Sequence, residues 1–119
     1  MIVGIGVDLC SIVRMERCCA DDFFIRRVFT PDEAAYCLRQ AAPARHFAAR
    51  FAAREAFVKA AGLGLLEIGF HNVSVARDAA GRPSLLLSGR AEEVCRGGTV
   101  HLSLSHDGGQ AIAFVVIER

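Results

Sequence analysis

Long apolar runs are missing from this chain. The longest is seven residues, Ala111–Ile117, whereas a membrane-spanning helix needs roughly twenty, so no membrane span is expected. A strong charge balance is missing too. Fourteen basic and thirteen acidic residues leave a formal net charge of +1, which is not the footprint of a nucleic-acid binder. The chain has no internal repeat, low-complexity tract or linker. Its first apolar stretch is interrupted by Gly4, Gly6 and Asp8 and lacks a basic leader, so it does not read as a signal peptide. The five cysteines, Cys10, Cys18, Cys19, Cys37 and Cys95, are odd in number and form no C-x-x-C pair. They read as free thiols in a reducing compartment, and a cytoplasmic location is expected. Lysine is nearly absent: Lys59 stands alone among the fourteen basic residues, and the rest are arginine.

Apolar residues, by contrast, are abundant. They make up 53% of the 119 residues, against 23% charged. That excludes intrinsic disorder and fits one domain spanning residues 1–119. Small domains bury a smaller fraction of their surface than large ones. A small domain this apolar is expected to hide its excess against copies of itself.

The hydrophobic pattern predicts a strand at Ile2–Leu9, with Val3, Ile5 and Val7 on one side and Gly4, Gly6 and Asp8 on the other. Residues 11–28 read as helical, in two pieces. Thr30-Pro31-Asp32-Glu33 is a helix start: a Thr cap, a Pro at the first helical position and a Glu completing a capping box. That helix runs to about Arg39. A longer helix is predicted over Ala44–Ala61, stopped by Gly62, with a loop after it. Strands follow at His71–Arg77 and Ser84–Ser88 around an Asp78–Pro83 turn, then a short helix at Arg90–Cys95. Val100–His106 and Gln110–Glu118 are the clearest strands, joined by Asp107-Gly108-Gly109 as a tight hairpin. The order predicts an α+β fold with an antiparallel sheet packed against a long helix.

A few residues break their local pattern. Asp8 shares a strand face with two glycines, which leave room for a metal with phosphate or for another backbone; it also reads as a cap for the next helix. Glu55 falls on the apolar side of the long helix, where a carboxylate is costly unless paired or bound to a cation. Lys59, four residues on, offers an i,i+4 partner. Arg50, Arg54 and Lys59 with Glu55 suit a phosphate-rich ligand held with a divalent ion, and oxygen ligands favour Mg²⁺. They also suit any charged helix. His106 ends a strand beside the hairpin, placed either to meet a ligand or to bond the hairpin itself. A Ser105-His106-Asp107 triad is not expected, because adjacent strand residues point to opposite faces. Arg14, Arg17, Arg26 and Arg27 form either a patch for an acidic partner or an ordinary solvated face.

The order of these signals resembles the holo-acyl-carrier-protein synthases, the short bacterial type of 4′-phosphopantetheinyl transferase. Ile5-Gly6-Val7-Asp8 with Arg14 is similar to their first motif. Arg50-Phe51-Ala52-Ala53-Arg54-Glu55-Ala56-Phe57-Val58-Lys59-Ala60 resembles their central motif, R-F-A-A-K-E-A-x-x-K-A. Gly81-Arg82-Pro83 resembles their G-K-P turn, and His101–His106 with Ala111–Glu118 their closing hairpin. The resemblance implies transfer of 4′-phosphopantetheine from coenzyme A to a serine of an apo acyl-carrier protein, with Mg²⁺ as cofactor and release of 3′,5′-ADP. It places Asp8 and Glu55 as metal-binding carboxylates and Lys59 near the phosphates. Arg50, Arg54, Pro83 and His106 fall with coenzyme A, and Arg14 with the carrier protein. It further implies a homotrimer with active sites between subunits. Arg54 and Arg82 depart from the usual lysines; they keep the charge but not the geometry. A non-catalytic protein that binds coenzyme A is the alternative from another class.

Overall fold

The computed structural model describes all 119 residues. Element order is β1 (Ile2–Ser11), α1 (Ile12–Cys18), α2 (Asp22–Val28), α3 (Pro31–Leu38), α4 (Pro43–Ala61) and α5 (Leu65–Ile68). A 3₁₀ turn at Phe70–Asn72 leads to β2 (Val73–Arg77), β3 (Pro83–Leu87), α6 (Gly89–Cys95), β4 (Thr99–Asp107) and β5 (Gln110–Glu118). The fold is α+β, as the pattern predicts. The antiparallel strands form two sheets rather than one: a three-stranded sheet in the order β1-β5-β4 and a β2-β3 hairpin. The helical turns after Gly62 take the place of the expected loop. The first strand runs two residues past Leu9, and Asp107 belongs to β4, so only Gly108 and Gly109 make the turn. Both have positive φ, at 56° and 77°, the backbone that a two-residue hairpin requires.

Sequence chemistry accounts for the helix ends. Ser11 caps α1 by accepting the Arg14 amide at 3.2 Å, so Asp8 is not the cap. The Thr30–Glu33 capping box forms in full. Gly62 ends α4 in the left-handed conformation, with φ of 75°.

Helix α4 is the spine of the molecule. Phe47, Ala48, Ala52, Ala53, Ala56, Phe57, Val58 and Ala60 are all buried along it, as expected of a helix covered on nearly every side. One side lies against β1 and β5, where Ala111, Ala113, Val115 and Ile117 face inward. The glycines of β1 permit this contact. A Cβ on Gly6 would stand 1.9 Å from the Ala56 carbonyl oxygen, and one on Gly4 2.0 Å from that of Ala60. The room beside Asp8 is therefore filled by a helix backbone.

The other face of β1 is apolar and exposed. Ile5 is 61% exposed and Leu9 62%, with Val3 and Val7 between and beside them. Across the sheet Val7 pairs with Phe114 and Leu9 with Ile112, which extends the apolar face onto β5. On β4 the same face turns polar, with His101, Ser103 and Ser105 in register.

Candidate active site

The register of β1 against α4 brings two carboxylates together. Asp8 and Glu55 line one cavity of about 270 Å³ with Arg14, Ser11, Cys10 and Phe51. Glu55 makes no hydrogen bond and no ion pair within the chain. Burial pushes its carboxyl above the usual range, and the charge of Asp8 pushes it further, with Lys59 pulling the other way. Lys59 does not bridge to Glu55 as the i,i+4 spacing suggests. It reaches across to β1, donating to the Val7 carbonyl at 3.0 Å and to Asp8 Oδ1 at 3.2 Å. The Lys59 side chain is 55% exposed, so this pair adds at most about 1 kcal/mol to stability. It delivers a positive charge to the edge of the carboxylate cavity.

No group of three or more His, Cys, Asp or Glu side chains converges anywhere in the chain. Two hard oxygen donors, one of them unpartnered, nonetheless fit a cation that takes only one or two protein carboxylates and fills its shell with water and phosphate. That is the habit of Mg²⁺.

His106 lies elsewhere. It lines a second cavity of about 160 Å³ with Arg45, His46, Ala49 and Arg77, and its imidazole forms no hydrogen bond within the chain. The hairpin-bonded alternative for this histidine is thus not realised. Burial and the charges of Arg50, Arg45, Arg77 and His106 hold His46 below the ordinary histidine pKa. Two arginines give this cavity a basic lining. Pro83 opens β3 directly opposite Arg77, one strand from the same cavity. Arg45, His46 and Arg77 were not singled out from the sequence. The Arg45-His46 pair at the start of α4 and the Arg77 before the turn were the available signals.

Arg50 and Arg54 are buried, not presented at the surface. Arg50 is 2% exposed. Its guanidinium stacks on the Tyr36 ring at 4.5 Å, and its Nη1 donates to the His46 carbonyl at 3.3 Å. It lines a cavity of about 460 Å³ that also includes Tyr36, Arg39 and Arg77 and contains neither Asp8 nor Glu55. Arg54 is fully buried. It is ion-paired with Glu33 and donates from Nε to the Phe70 carbonyl at 2.9 Å, which leaves no surface for a ligand. The neighbouring sequence gives no hint of this, because the partner, Glu33, lies 21 residues earlier in the chain.

The expected site therefore falls into parts within one chain: Asp8, Arg14 and Glu55 line one cavity with Lys59 beside Asp8, while His106 lines another, with Pro83 across the strand pair from Arg77. Cys10 and Cys18 line the carboxylate cavity, but no thiol is paired or activated. All five are free, and burial raises Cys10 to about 11 and Cys19 to about 12, far from nucleophilic.

An α+β fold with a carboxylate pair and a basic pocket marks out a class of phosphate-handling proteins, and the comparisons with known proteins name it. The family profile described as the 4′-phosphopantetheinyl transferase superfamily matches residues 4–115. Over its full length the chain is 46% identical to the full length of a holo-(acyl-carrier-protein) synthase of Geobacter sp. (strain M21). The crystal structure of the synthase from Neisseria meningitidis superposes with a TM-score of 0.85 at 35% identity, covering 100% of both chains. That from Bacillus anthracis, solved in complex with CoA (3′,5′-ADP), gives 0.83 at 36%, covering 99% of this chain and 97% of its own. The chain belongs to the 4′-phosphopantetheinyl transferase superfamily, and within it to the holo-(acyl-carrier-protein) synthase family.

Proposed function

We propose that this protein transfers 4′-phosphopantetheine from coenzyme A to a serine of an apo acyl-carrier protein, with Mg²⁺, releasing 3′,5′-ADP. The observation that supports this most is the convergence of Asp8 and Glu55, the latter without any protein partner, beside Lys59. The serine oxygen gives up its proton, to Glu55 or to water, and forms a bond to the phosphorus that carries pantetheine; the bond from that phosphorus to the 3′,5′-ADP oxygen breaks, and 3′,5′-ADP leaves with the electron pair. The chain needs no nucleophile of its own, since the carrier supplies it. Asp8 and Glu55 would hold Mg²⁺, which when bound neutralises charge on the transferred and leaving phosphates. Lys59 supplies a second cation at the same edge. Catalysis of this kind is largely positioning and electrostatics, which suits two carboxylates and a lysine with no acid–base dyad.

His106, with Pro83 one strand away, would hold the nucleotide end of coenzyme A, aided by Arg45 and Arg77. Arg50 would act from the floor of its cavity. Arg14, on the rim of the carboxylate cavity, would face the acidic carrier. The two half-sites lie in separate cavities of one chain, and the apolar face of β1 and β5 is uncovered. Both observations support an assembly in which one subunit's carboxylates meet a neighbour's basic pocket, and the likeness to the holo-acyl-carrier-protein synthases makes that assembly a homotrimer. We place the enzyme in the cytoplasm, where coenzyme A and carrier proteins meet.

Intact-mass spectrometry of an apo carrier protein after incubation with coenzyme A and Mg²⁺ tests the activity. A gain of about 340 Da is expected, the mass of the group that this transfer adds, and Glu55→Ala should lower the rate at least about a hundredfold. No gain with several apo carriers would favour a non-catalytic coenzyme A-binding protein.

A further inference from the structure

Glu33 and Arg54 are the most buried ion pair in the molecule, and the proposed chemistry uses neither. Glu33 is 2% exposed and Arg54 0%. The Glu33 carboxylate is saturated. Its Oε1 accepts from the Thr30 amide at 3.0 Å and from Arg54 Nη2. Its Oε2 accepts from Arg54 Nη1 at 3.0 Å and from the Val75 amide at 2.9 Å. Arg54 in turn donates from Nε to Phe70 and stands 5.1 Å over the Phe29 ring. One ion pair thus joins the start of α3, the middle of α4, the 3₁₀ turn and β2.

A planar guanidinium bound through two parallel N–H groups fixes orientation as well as distance. Arg54 directly precedes Glu55 on α4, and consecutive residues of a helix point about 100° apart. The fork that fixes where Arg54 points therefore fixes where Glu55 points. The opposite side of α4 is held by the close approach of Gly4 and Gly6 to the carbonyls of Ala60 and Ala56. Glu55 lies between these two restraints.

We propose that the Glu33–Arg54 pair is a positioning device for the reaction: it locks the rotation of α4 so that Glu55 faces Asp8 across the carboxylate cavity. The proposal rests on the reading of Asp8 and Glu55 as metal ligands. A buried ion pair is a poor source of net stability compared with apolar packing of similar volume, which leaves its geometry as its use. Groups that orient metal ligands typically change metal affinity by 10- to 100-fold when lost.

Glu33→Gln replaces one of two acceptor oxygens by an NH₂ that confronts the Arg54 donors. The test titrates Mn²⁺ into the coenzyme A-loaded protein by electron paramagnetic resonance, beside steady-state kinetics, below the Tm of every variant. Expected for Glu33→Gln are Mn²⁺ affinity and kcat each lower by about tenfold, with KM for the carrier protein within about twofold. Ile68→Ala, a core truncation away from the site, serves as the control for lost stability and should leave Mn²⁺ affinity unchanged. Should Glu33→Gln not fold, Glu33→Asp keeps the charge, shortens the reach and is expected to weaken Mn²⁺ at least about threefold. Wild-type Mn²⁺ affinity and kcat in a folded Glu33 variant, or an equal loss in Ile68→Ala, would overturn the proposal. If the wild-type protein with coenzyme A binds no Mn²⁺, the ligand reading of Asp8 and Glu55 fails first and takes the proposal with it.

Discussion

Glu55 is placed at a cost to the free protein. Its carboxyl is partly withdrawn from water, faces Asp8 and has no donor to satisfy it. Its raised pKa fixes the sign of the effect: the folded state disfavours the ionised form. The penalty is absent in acid, below the ordinary glutamate value, and grows as pH rises through the elevated one. Glu55→Gln is therefore expected to raise the Tm of the chelator-treated protein at pH 8, with the gain vanishing near pH 4. Differential scanning calorimetry at the two pH values checks this. An unchanged or lower Tm at pH 8 would mean that Glu55 has an attractive partner after all. Lys59 pairs with Asp8 and not with Glu55. The sequence made Glu55 legible as a carboxylate on an apolar helix face. It misassigned Lys59, because i,i+4 spacing is local while the true partner sits 51 residues away. Arg54 is hard to read for the same reason: a buried arginine and a ligand-binding arginine look alike in sequence until the fold brings Glu33 beside one of them.

At the scale of elements, the contact of β1 with α4 creates the site. Bare backbone on Gly4 and Gly6 lets the helix approach until Asp8 and Glu55 share a cavity. Gly6→Ala would drive a methyl group into the Ala56 carbonyl, 1.9 Å away, with backbone on both sides and no flexible atom to yield. It should destabilise by about 3 kcal/mol or more. Gly64→Ala, where nothing lies within 4 Å, should stay within about 0.5 kcal/mol. Urea denaturation of the two variants decides the point; equal effects would show that the close approach is not what holds the pair of elements. Element identity was readable where chemistry is local: the capping box of α3, the glycine stop of α4 and the Gly108-Gly109 hairpin. The split into two sheets was not, since strand partnership depends on packing around α4. The short helical turns at Leu65–Ile68 and Phe70–Asn72 escaped because such short segments carry no periodicity to read.

For the whole molecule, the apolar surplus has a definite address. It is the outer face of β1 and the adjoining part of β5, where Ile5, Val7, Leu9 and Phe114 are exposed. No helix of the chain is long and apolar enough to cross a membrane, so this face is not explained as part of a helical span. A face of this composition on a small domain fits a subunit contact. Val7→Asp combined with Phe114→Asp should convert a trimer into monomers at micromolar concentration, read by sedimentation velocity; an unchanged sedimentation coefficient would place the contact elsewhere. Composition announced the excess but not its location, because alternation on a strand does not say which face a helix will cover.

The central claim is that the carboxylate half-site of one subunit works with the basic half-site of another. Subunit mixing tests it most directly. Asp8→Ala and His106→Ala are each expected to be nearly inactive alone. Denatured together in equal amounts and refolded, they should regain about a quarter of wild-type activity, because in a closed ring of randomly mixed subunits one interface in four pairs an intact Asp8 with an intact His106. Mixed trimers that show no activity beyond the two parents would place both half-sites within one chain and contradict the account.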